Sequence, residues 1–228
     1  MLQNLSPRLN AVAALVPACN TLADIGTDHG FLPLYLLFTN KISRAVCADI
    51  NAAPLESAKR NFSGSGLESR ADFRLGNGMA VIEKSEADVA VIAGMGGDTI
   101  AEIIEADRSE TPRFVLQPMT KTERLRLWLR DNGWGIENWN LVVDAGRLYE
   151  VILVSRSAPI SDPPFIRFGS PKGISPELYA QYIDQKLSQC KKALRGTELA
   201  SCPDRERKKE LEADLASLKE IQNLIIQR

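Results

Sequence analysis

The sequence predicts an α/β protein built on a doubly wound, mostly parallel sheet, and the order of its apolar runs is the main reason. Five strand-like runs end at positions 26, 49, 76, 94 and 118, and four helix-like segments alternate with them, at residues 30–39, 52–63, 97–107 and 121–132. Strict alternation of strands and helices is typical of a parallel sheet with helices on both faces. Such sheets bind ligands at the carboxyl ends of their strands.

The pattern changes after the fifth strand. Residues 134–144 and 147–155 are two β-rich runs, and only Ala145 and Gly146 separate them. Two strands joined by so short a connection form an antiparallel hairpin. The sheet is therefore expected to begin parallel and to end with a reversed strand.

The two ends of the chain are predicted to be helical. Ser6-Pro7 is a good helix start, and the apolar residues after it recur at helical spacing, as in a helix that packs on the core. Residues 158–176 are rich in proline and glycine, which indicates a linker. Residues 177–228 then carry two amphipathic runs, which predict an antiparallel, coiled-coil-like helical hairpin. We expect three parts: a ligand-binding domain at 1–157, the linker, and the hairpin, which either folds back or pairs with another chain.

Composition excludes several classes of protein. A hydrophobic fraction of 44% and a charged fraction of 25% are ordinary for a soluble domain, and no apolar run has the length of a membrane span. The start of the chain lacks a signal-peptide pattern, so we expect a cytoplasmic protein. Four cysteines without C-x-x-C spacing, and a single histidine, predict no metal site and reduced thiols. A disulfide between Cys190 and Cys202 is the less favoured alternative.

Charge does not by itself indicate a nucleic-acid partner. Residues 1–155 carry 15 Lys and Arg against 19 Asp and Glu, a balance of −4, whereas residues 156–228 carry 13 against 10, a balance of +3. A local basic face remains compatible with these totals.

The first predicted loop, residues 24–30, favours a cationic cofactor. Gly26 and Gly30 permit a tight turn and a close ligand, and a helix amino terminus follows. Asp28 stands where a diphosphate-binding loop would carry glycine, and a carboxylate there repels phosphate. S-Adenosylmethionine has a sulfonium, an ammonium and no phosphate, so we favour it over NAD. Asp28 could instead cap the next helix. Asp24 is expected to orient the cofactor amine, with Thr27 beside it.

Further cofactor contacts are predicted at the next strands. Asp49 ends the second strand 19 residues after Gly30, where a carboxylate binds ribose hydroxyls in related folds. The alternative is a helix cap ahead of Asn51. Ile50 follows Asp49, and we expect Asn77 and Gly78 to contact the adenine, although Asn77 also suits a turn.

Residues 93–97 supply the predicted floor for a second substrate. Ala93 and Gly94 are also expected to contact the cofactor, and with Met95 they belong to a glycine-rich segment over which a flat base could lie. Gln117 ends the fifth strand and offers a donor and an acceptor to a base edge. His29 is either a catalytic group or a residue that only stabilises the helix start. The candidate catalytic residues are Asp28, His29, Gly94, Met95 and Gln117.

Four segments together resemble the bacterial tRNA adenine-N1 methyltransferases that act at position 22. They are residues 5–9, 24–33, 94–97 and 117–118. The motifs D-x-G-x-D-H-G and G-M-G-G are specific in combination, and the resemblance covers the whole chain. It implies a Rossmann-like class I methyltransferase fold, S-adenosylmethionine as donor, and N1 of a tRNA adenine as acceptor. This chain has Phe31 where many relatives have tyrosine, and Asn77 in place of the family's acidic third-strand motif.

A tRNA substrate requires cations near the cleft and on the tail. The candidates for tRNA contact are Arg8, Lys121, Arg124, Arg126, Lys191 and Lys192. Because acidic residues lie among the basic ones on the tail, an ordinary solvated surface is the alternative there.

Two other functions fit parts of the pattern. An NAD-linked oxidoreductase would use the same glycine loop and Asp49, but Asp28 and the terminal hairpin argue against it. Dehydrogenase sheets usually stay parallel at this point, whereas the methyltransferase variant ends with such a hairpin. A non-catalytic binding module would use the helical hairpin to dock a partner.

Overall fold

The computed structural model describes residues 4–160, 165–199 and 204–226. The chain divides into two units, Met1–Ile160 and Ser161–Arg228. The boundary between them lies inside the segment that the sequence predicts as a linker. Each unit is described separately below.

The first unit contains a seven-stranded sheet in the order β3-β2-β1-β4-β5-β7-β6. Its strands are β1 (Cys19–Ile25), β2 (Ile42–Asp49), β3 (Ala71–Leu75), β4 (Val89–Gly96), β5 (Arg113–Thr120), β6 (Gly135–Asp144) and β7 (Arg147–Ser155). The first five strands are parallel, and β7 pairs antiparallel with both β5 and β6. This confirms the predicted α/β fold with its reversed end.

Five helices accompany the sheet. They are α1 (Pro7–Leu15), α2 (Phe31–Phe38), α3 (Ala52–Phe62), α4 (Gly97–Glu105) and α5 (Thr122–Asp131). Short 3-10 helices, Glu68–Arg70 and Gly78–Val81, flank β3. The four helices between strands begin and end within two residues of their predicted limits, because strong apolar periodicity and glycine-rich entries define them.

The strand order reverses beside β1, which pairs with β2 on one side and β4 on the other. The connections after β1 and β4 therefore leave the same edge of the sheet on opposite sides of a crevice. In open α/β sheets, ligands bind at such a point. This topology brings the first loop and the glycine-rich segment of β4 together.

Helix α1 packs against β5, β6 and β7, as the apolar spacing at the start of the chain predicts. The Ser6 hydroxyl caps it by accepting a hydrogen bond from the Leu9 amide at 3.3 Å, and Pro7 occupies the first turn. Val12, on the inward face of the helix, is fully buried. The packing places Arg8 at the carboxyl edge of the sheet.

The predicted hairpin forms between β6 and β7. Asp144 pairs with Arg147, and the two residues between them, Ala145 and Gly146, have φ angles of 47° and 74°. Two positive φ angles in a two-residue turn match the twist of antiparallel strands. Gly146 takes this conformation without strain, whereas Ala145 takes it at a cost.

The second unit is helical. Its helices are α6 (Phe165–Phe168), α7 (Pro176–Leu199) and α8 (Arg205–Ile226). Gln222 Nε2 donates to Asp184 Oδ1 at 3.0 Å, and the Cys190 thiol donates to the Leu211 carbonyl at 3.2 Å. The later residue on α7 thus contacts the earlier residue on α8, so the two helices are antiparallel, as predicted.

Helix α6 was not predicted, because the prolines and glycines of residues 158–176 conceal its short apolar run. Phe168 is buried, and the Tyr179 hydroxyl donates to the Gly169 carbonyl at 2.7 Å. The expectation of an irregular linker is therefore wrong for residues 165–168. Residues 161–164 lie outside the described part of the chain.

Cys19 and Cys47 carry free thiols, and burial raises the pKa of Cys19 to about 11. Cys202, the second half of the alternative disulfide, lies outside the described residues. Among the residues that the structure describes, no helix has the length and apolar character to cross a membrane. In the same residues no cluster of acidic, histidine and cysteine side chains is suited to a metal ion.

Candidate functional site

A cleft of about 420 Å³ opens at the carboxyl edge of the sheet, where the strand order reverses. It is lined by residues of α1, the first loop, the ends of β2 and β4, and the start of α2. These are Arg8, Leu9, Asp24, Gly26, Asp28, His29, Gly30, Phe31, Leu32, Asp49, Ala93, Gly94 and Met95. Most residues predicted for the cofactor and the chemistry therefore share one cleft.

Asp24 lies at the inner wall of the cleft. Asp24 is only 7% exposed. Burial raises the pKa of its carboxyl from 3.8 to about 6, and the charge of Asp49 adds to the rise. A buried carboxylate with a raised pKa is stabilised by any cation that comes into contact with it. The inner wall is therefore suited to a positively charged group.

Asp49 is half-buried at the end of β2. Its Oδ1 accepts a hydrogen bond from the Asn51 amide at 2.8 Å, so the helix-entry role considered for it is present. A carboxylate has further lone pairs on both oxygens, so ribose binding remains compatible with this bond and stays a prediction. The Gly26 amide donates to the Ala48 carbonyl at 2.8 Å, which holds the first loop against β2.

Asp28 and His29 stand at the mouth of the cleft, with side chains 80% and 48% exposed. His29 Nε2 lies 3.5 Å from Asp28 Oδ2, and His29 Nδ1 lies 2.7 Å from the Ser57 hydroxyl. Asn61 Nδ2 donates to the His29 carbonyl at 2.9 Å. Ser57 and Asn61 therefore fasten the loop to α3. Sequence reasoning missed both, since nothing in their local pattern distinguishes them from other polar residues on a helix.

The glycine-rich end of β4 departs from regular pairing. Its register with β5 shifts on both sides of Met95, and Gly94 has φ +80°, a conformation that favours glycine. The Met95 methyl packs on the first loop, where a Cβ on Gly26 would lie only 2.3 Å from it. The predicted floor therefore carries one flexible thioether beside the glycines.

Gln117 does not face the cleft, and the prediction that it reads a base edge is wrong. The residue is fully buried, and its Oε1 accepts hydrogen bonds from Arg8 Nη1 at 2.6 Å and from the Gly94 amide at 3.1 Å. Its Nε2 donates to the Pro118 carbonyl at 3.0 Å. Both ends of the amide are engaged within the protein.

Four other predicted cofactor residues surround the cleft without lining it. Thr27 is buried in the first loop, Ile50 is 62% exposed, and Asn77 and Gly78 follow β3. The amide of residue 76 donates to the Asp49 carbonyl at 2.9 Å, which brings the end of β3 beside the end of β2. Adenine contacts by this group stay a prediction.

Two of the predicted tRNA-binding cations lie at the start of α5. Lys121 forms an ion pair with Asp98, and Arg124 Nη1 lies 3.6 Å from the same carboxylate. The hydrogen bond from Lys121 lowers the pKa of Asp98. All three side chains are substantially exposed, so both cations are accessible to a phosphate that replaces the carboxylate.

Arg126 cannot contact tRNA, and its prediction is wrong. Its side chain is fully buried, and its Nε donates to Glu150 Oε2 at 3.0 Å. Its guanidinium also lies over the Trp139 ring, 4.8 Å from the centroid. Arg126 lies on the buried face of α5, together with Leu125 and Leu129.

Lys191 and Lys192 lie on α7 and are exposed. They belong to the second unit, in which a solvated surface and an RNA-binding surface have the same appearance. Their contact with tRNA stays a prediction.

A second cleft, of about 610 Å³, opens beside the amino end of β5. Trp128, Trp134 and Arg156 contribute to it, and the Arg156 guanidinium lies 4.3 Å from the centroid of the Trp134 ring. Its lining contains none of the residues predicted to bind cofactor or substrate.

Comparison with known proteins gives consistent matches. Residues 5–152 match the family described as "Methyltransferase domain". The chain is 40% identical over 152 residues to the tRNA (adenine(22)-N(1))-methyltransferase of Bacillus subtilis, an alignment that covers 65% of this chain and 64% of that protein. The chain thus spans somewhat less than two thirds of that relative.

Solved structures are matched over nearly their full length. The B. subtilis m1A22 tRNA methyltransferase TrmK superposes with a TM-score of 0.83 at 31% identity, covering 97% of this chain and 99% of that one. The TrmK of M. capricolum, solved with S-adenosylhomocysteine, gives a TM-score of 0.82 at 28% identity, covering 98% and 100%.

Proposed function

Because this chain belongs to the methyltransferase domain family, we propose that it transfers a methyl group from S-adenosylmethionine to N1 of an adenine in tRNA, at position 22. The observation that carries the proposal is the ring of carboxylates in the cleft, formed by Asp24, Asp28 and Asp49. It suits a cationic donor and opposes a diphosphate. The relatives described above act on tRNA or bind the demethylated donor, and they support the choice of substrate and cofactor.

The residues of the cleft fit this cofactor. S-Adenosylmethionine supplies, when bound, a methyl group on a cationic sulfonium. The buried Asp24 would hold its ammonium, which offsets the desolvation of that carboxylate. Asp49 would accept the ribose hydroxyls, and Ile50, Asn77 and Gly78 would border the adenine. Gly26, Thr27 and Gly30 shape the loop that admits the donor.

An NAD-linked oxidoreductase is disfavoured by the same charges. A dinucleotide would bring two phosphates into a cleft that has Asp28 at its mouth and Asp24 on its inner wall. The antiparallel pairing of β7 with β5 also matches the methyltransferase form of the sheet.

Methyl transfer to N1 requires alignment more than acid–base chemistry. Adenine N1 has its own lone pair, so the transfer needs no base before attack, and holding the two reactants in line supplies much of the acceleration. The methylated ring is a cation, and the Asp28 carboxylate at the cleft mouth would stabilise the developing charge. Residues 93–97 would support the base, and a base in a helix would first be extruded.

The tRNA would be held by cations on both units. Arg8 lines the cleft, and Lys121 and Arg124 lie at the start of α5. Lys191 and Lys192 would supply further contacts from the helical hairpin of residues 177–228, which we propose as a separate part of the chain. The free thiols of Cys19 and Cys47 and the tRNA substrate fit a cytoplasmic location.

The test is incubation with unmodified tRNA and methyl-labelled S-adenosylmethionine, followed by nucleoside analysis. We expect 1-methyladenine with the intact tRNA and none with a tRNA that carries guanine at position 22. Asp24→Asn and Asp49→Asn should weaken donor binding in calorimetry. Labelled tRNA without 1-methyladenine, or methylation that persists in the guanine-22 tRNA, would refute the proposal.

A further inference from the structure

The β-bulge in β4 leaves one amide without a partner in the ladder. Ala93 pairs with Gln117 and Met95 pairs with Pro118, so Gly94 has no opposite residue on β5. Its N–H instead donates to the side-chain oxygen of Gln117 at 3.1 Å. The glutamine thus replaces a missing backbone bond at the turn of the chain that borders the cleft.

The same oxygen holds a residue of another element. Arg8 Nη1 donates to Gln117 Oε1 at 2.6 Å, and the Arg8 guanidinium lies 5.8 Å from the centroid of the Tyr149 ring. The Arg8 backbone amide donates to Asp144 Oδ2 at 3.3 Å. One oxygen therefore joins α1 to the bulge of β4.

Gln117 is itself fixed. It is fully buried, and its Nε2 donates to the Pro118 carbonyl at 3.0 Å and approaches Met119 Sδ at 3.5 Å. These bonds determine which end of the amide is oxygen, because the nitrogen must face an acceptor. The oxygen is consequently directed to its two donors, Arg8 and Gly94.

We propose that Gln117 is a positioning residue for methyl transfer, which holds Gly94 and Arg8 in the places where the acceptor base and its strand are received. The proposal rests on the proposed function for its substrate. It assigns Gln117 no contact with the base. A misplacement of a reacting group by about 1 Å can lower a rate by roughly 100-fold. Loss of the two hydrogen bonds that Gln117 Oε1 accepts should therefore reduce turnover while donor binding is retained.

The first readout is structural and independent of activity. In protein labelled with ¹⁵N-glycine, Gln117→Ala should accelerate exchange of the Gly94 amide by about tenfold, the equivalent of one hydrogen bond. Gln117→Glu keeps an oxygen for both donors, and in its protonated form its second oxygen can donate to the Pro118 carbonyl as Nε2 does, so that form should preserve the protection. Val115→Ala is the matched control, since Val115 is buried on the same strand and contacts neither Arg8 nor Gly94 through a hydrogen bond.

The second readout is kinetic. Gln117→Ala should lower kcat by roughly 10- to 100-fold with little change in the Kd for S-adenosylmethionine, whereas Val115→Ala should keep kcat in its folded fraction. Arg8→Ala combined with Gln117→Ala should cost less than the product of the single effects. Unchanged Gly94 exchange in Gln117→Ala, unchanged kcat, or a loss confined to donor affinity would each overturn the proposal. Absence of tRNA methylation by the wild-type protein would instead refute the proposed function. The exchange data would still test whether Gln117 holds Gly94.

Discussion

Replacing Asp24 by asparagine should make the donor-free protein more stable while weakening its binding of S-adenosylmethionine. The carboxyl is buried, and its pKa is raised from 3.8 to about 6. A raised carboxyl pKa means that the stabilising contribution is complete below about pH 4 and is lost as the pH rises through 6. Above that range, the folded protein holds a desolvated charge that the unfolded chain would expose to water.

The magnitude follows from the shift. Two pKa units correspond to about 3 kcal/mol, since each unit is about 1.4 kcal/mol. Asparagine has nearly the same shape and carries no charge, so at pH 8 the variant should gain up to about 3 kcal/mol in unfolding free energy. That gain is large beside the total stability of a domain. At pH 4 the difference between the two proteins should largely disappear.

Urea unfolding of the donor-free protein at pH 4, 6 and 8 measures the effect. Asp28→Asn is the matched control, because the Asp28 side chain is 80% exposed and its carboxylate is already solvated. Calorimetry should show weaker donor binding to Asp24→Asn at pH 8, and binding to the wild type should weaken as the pH falls through 6. Equal stability of wild type and Asp24→Asn at pH 8 would refute the reasoning.

Three further changes test other parts of the structure. Gly26→Ala should destabilise the protein by about 1–3 kcal/mol, measured by thermal unfolding, because alanine is strained at its φ of +78° and the flexible Met95 methyl must move to admit a Cβ; unchanged stability would contradict this. Arg126→Met should cost about 3–5 kcal/mol because it leaves the Glu150 carboxylate buried without its guanidinium, and adding Glu150→Leu should recover much of the loss. If Arg126→Met instead weakened tRNA binding at full stability, the residue would be an RNA ligand. Asp98→Asn should free Lys121 for phosphate and tighten tRNA binding, with a steeper fall of log affinity against log salt; weaker binding would show that Asp98 positions the lysine for tRNA.

The elements of the first unit could be predicted because their signals are local. Apolar alternation, glycine entries and the two-residue connection at Ala145-Gly146 each act within a few positions of the chain. The carboxylates of the cleft follow from the same information, since parallel strands place their carboxyl ends at one edge. Helix α6 was missed because its apolar run is too short to show a period.

The errors at the site concern side chains whose partners lie far away in sequence. Gln117 and Arg8 are separated by 109 positions, and Arg126 and Glu150 by 24. A polar residue near a predicted cleft has the same local sequence pattern whether it faces the ligand or is hydrogen-bonded to another residue of the protein. The position of a bulge in β4, which creates the need for Gln117, also depends on the pairing strand. Only the folded arrangement identifies these partners.

The packing of α1 on the last three strands of the sheet has a consequence for synthesis. The helix is among the first segments to leave the ribosome, whereas the strands that it covers are translated more than a hundred codons later. A nascent chain that has already made β1 through β4 also contains α1, but it still lacks the strands on which α1 packs. The proposed methyl transfer is therefore expected only after the β6–β7 hairpin has emerged.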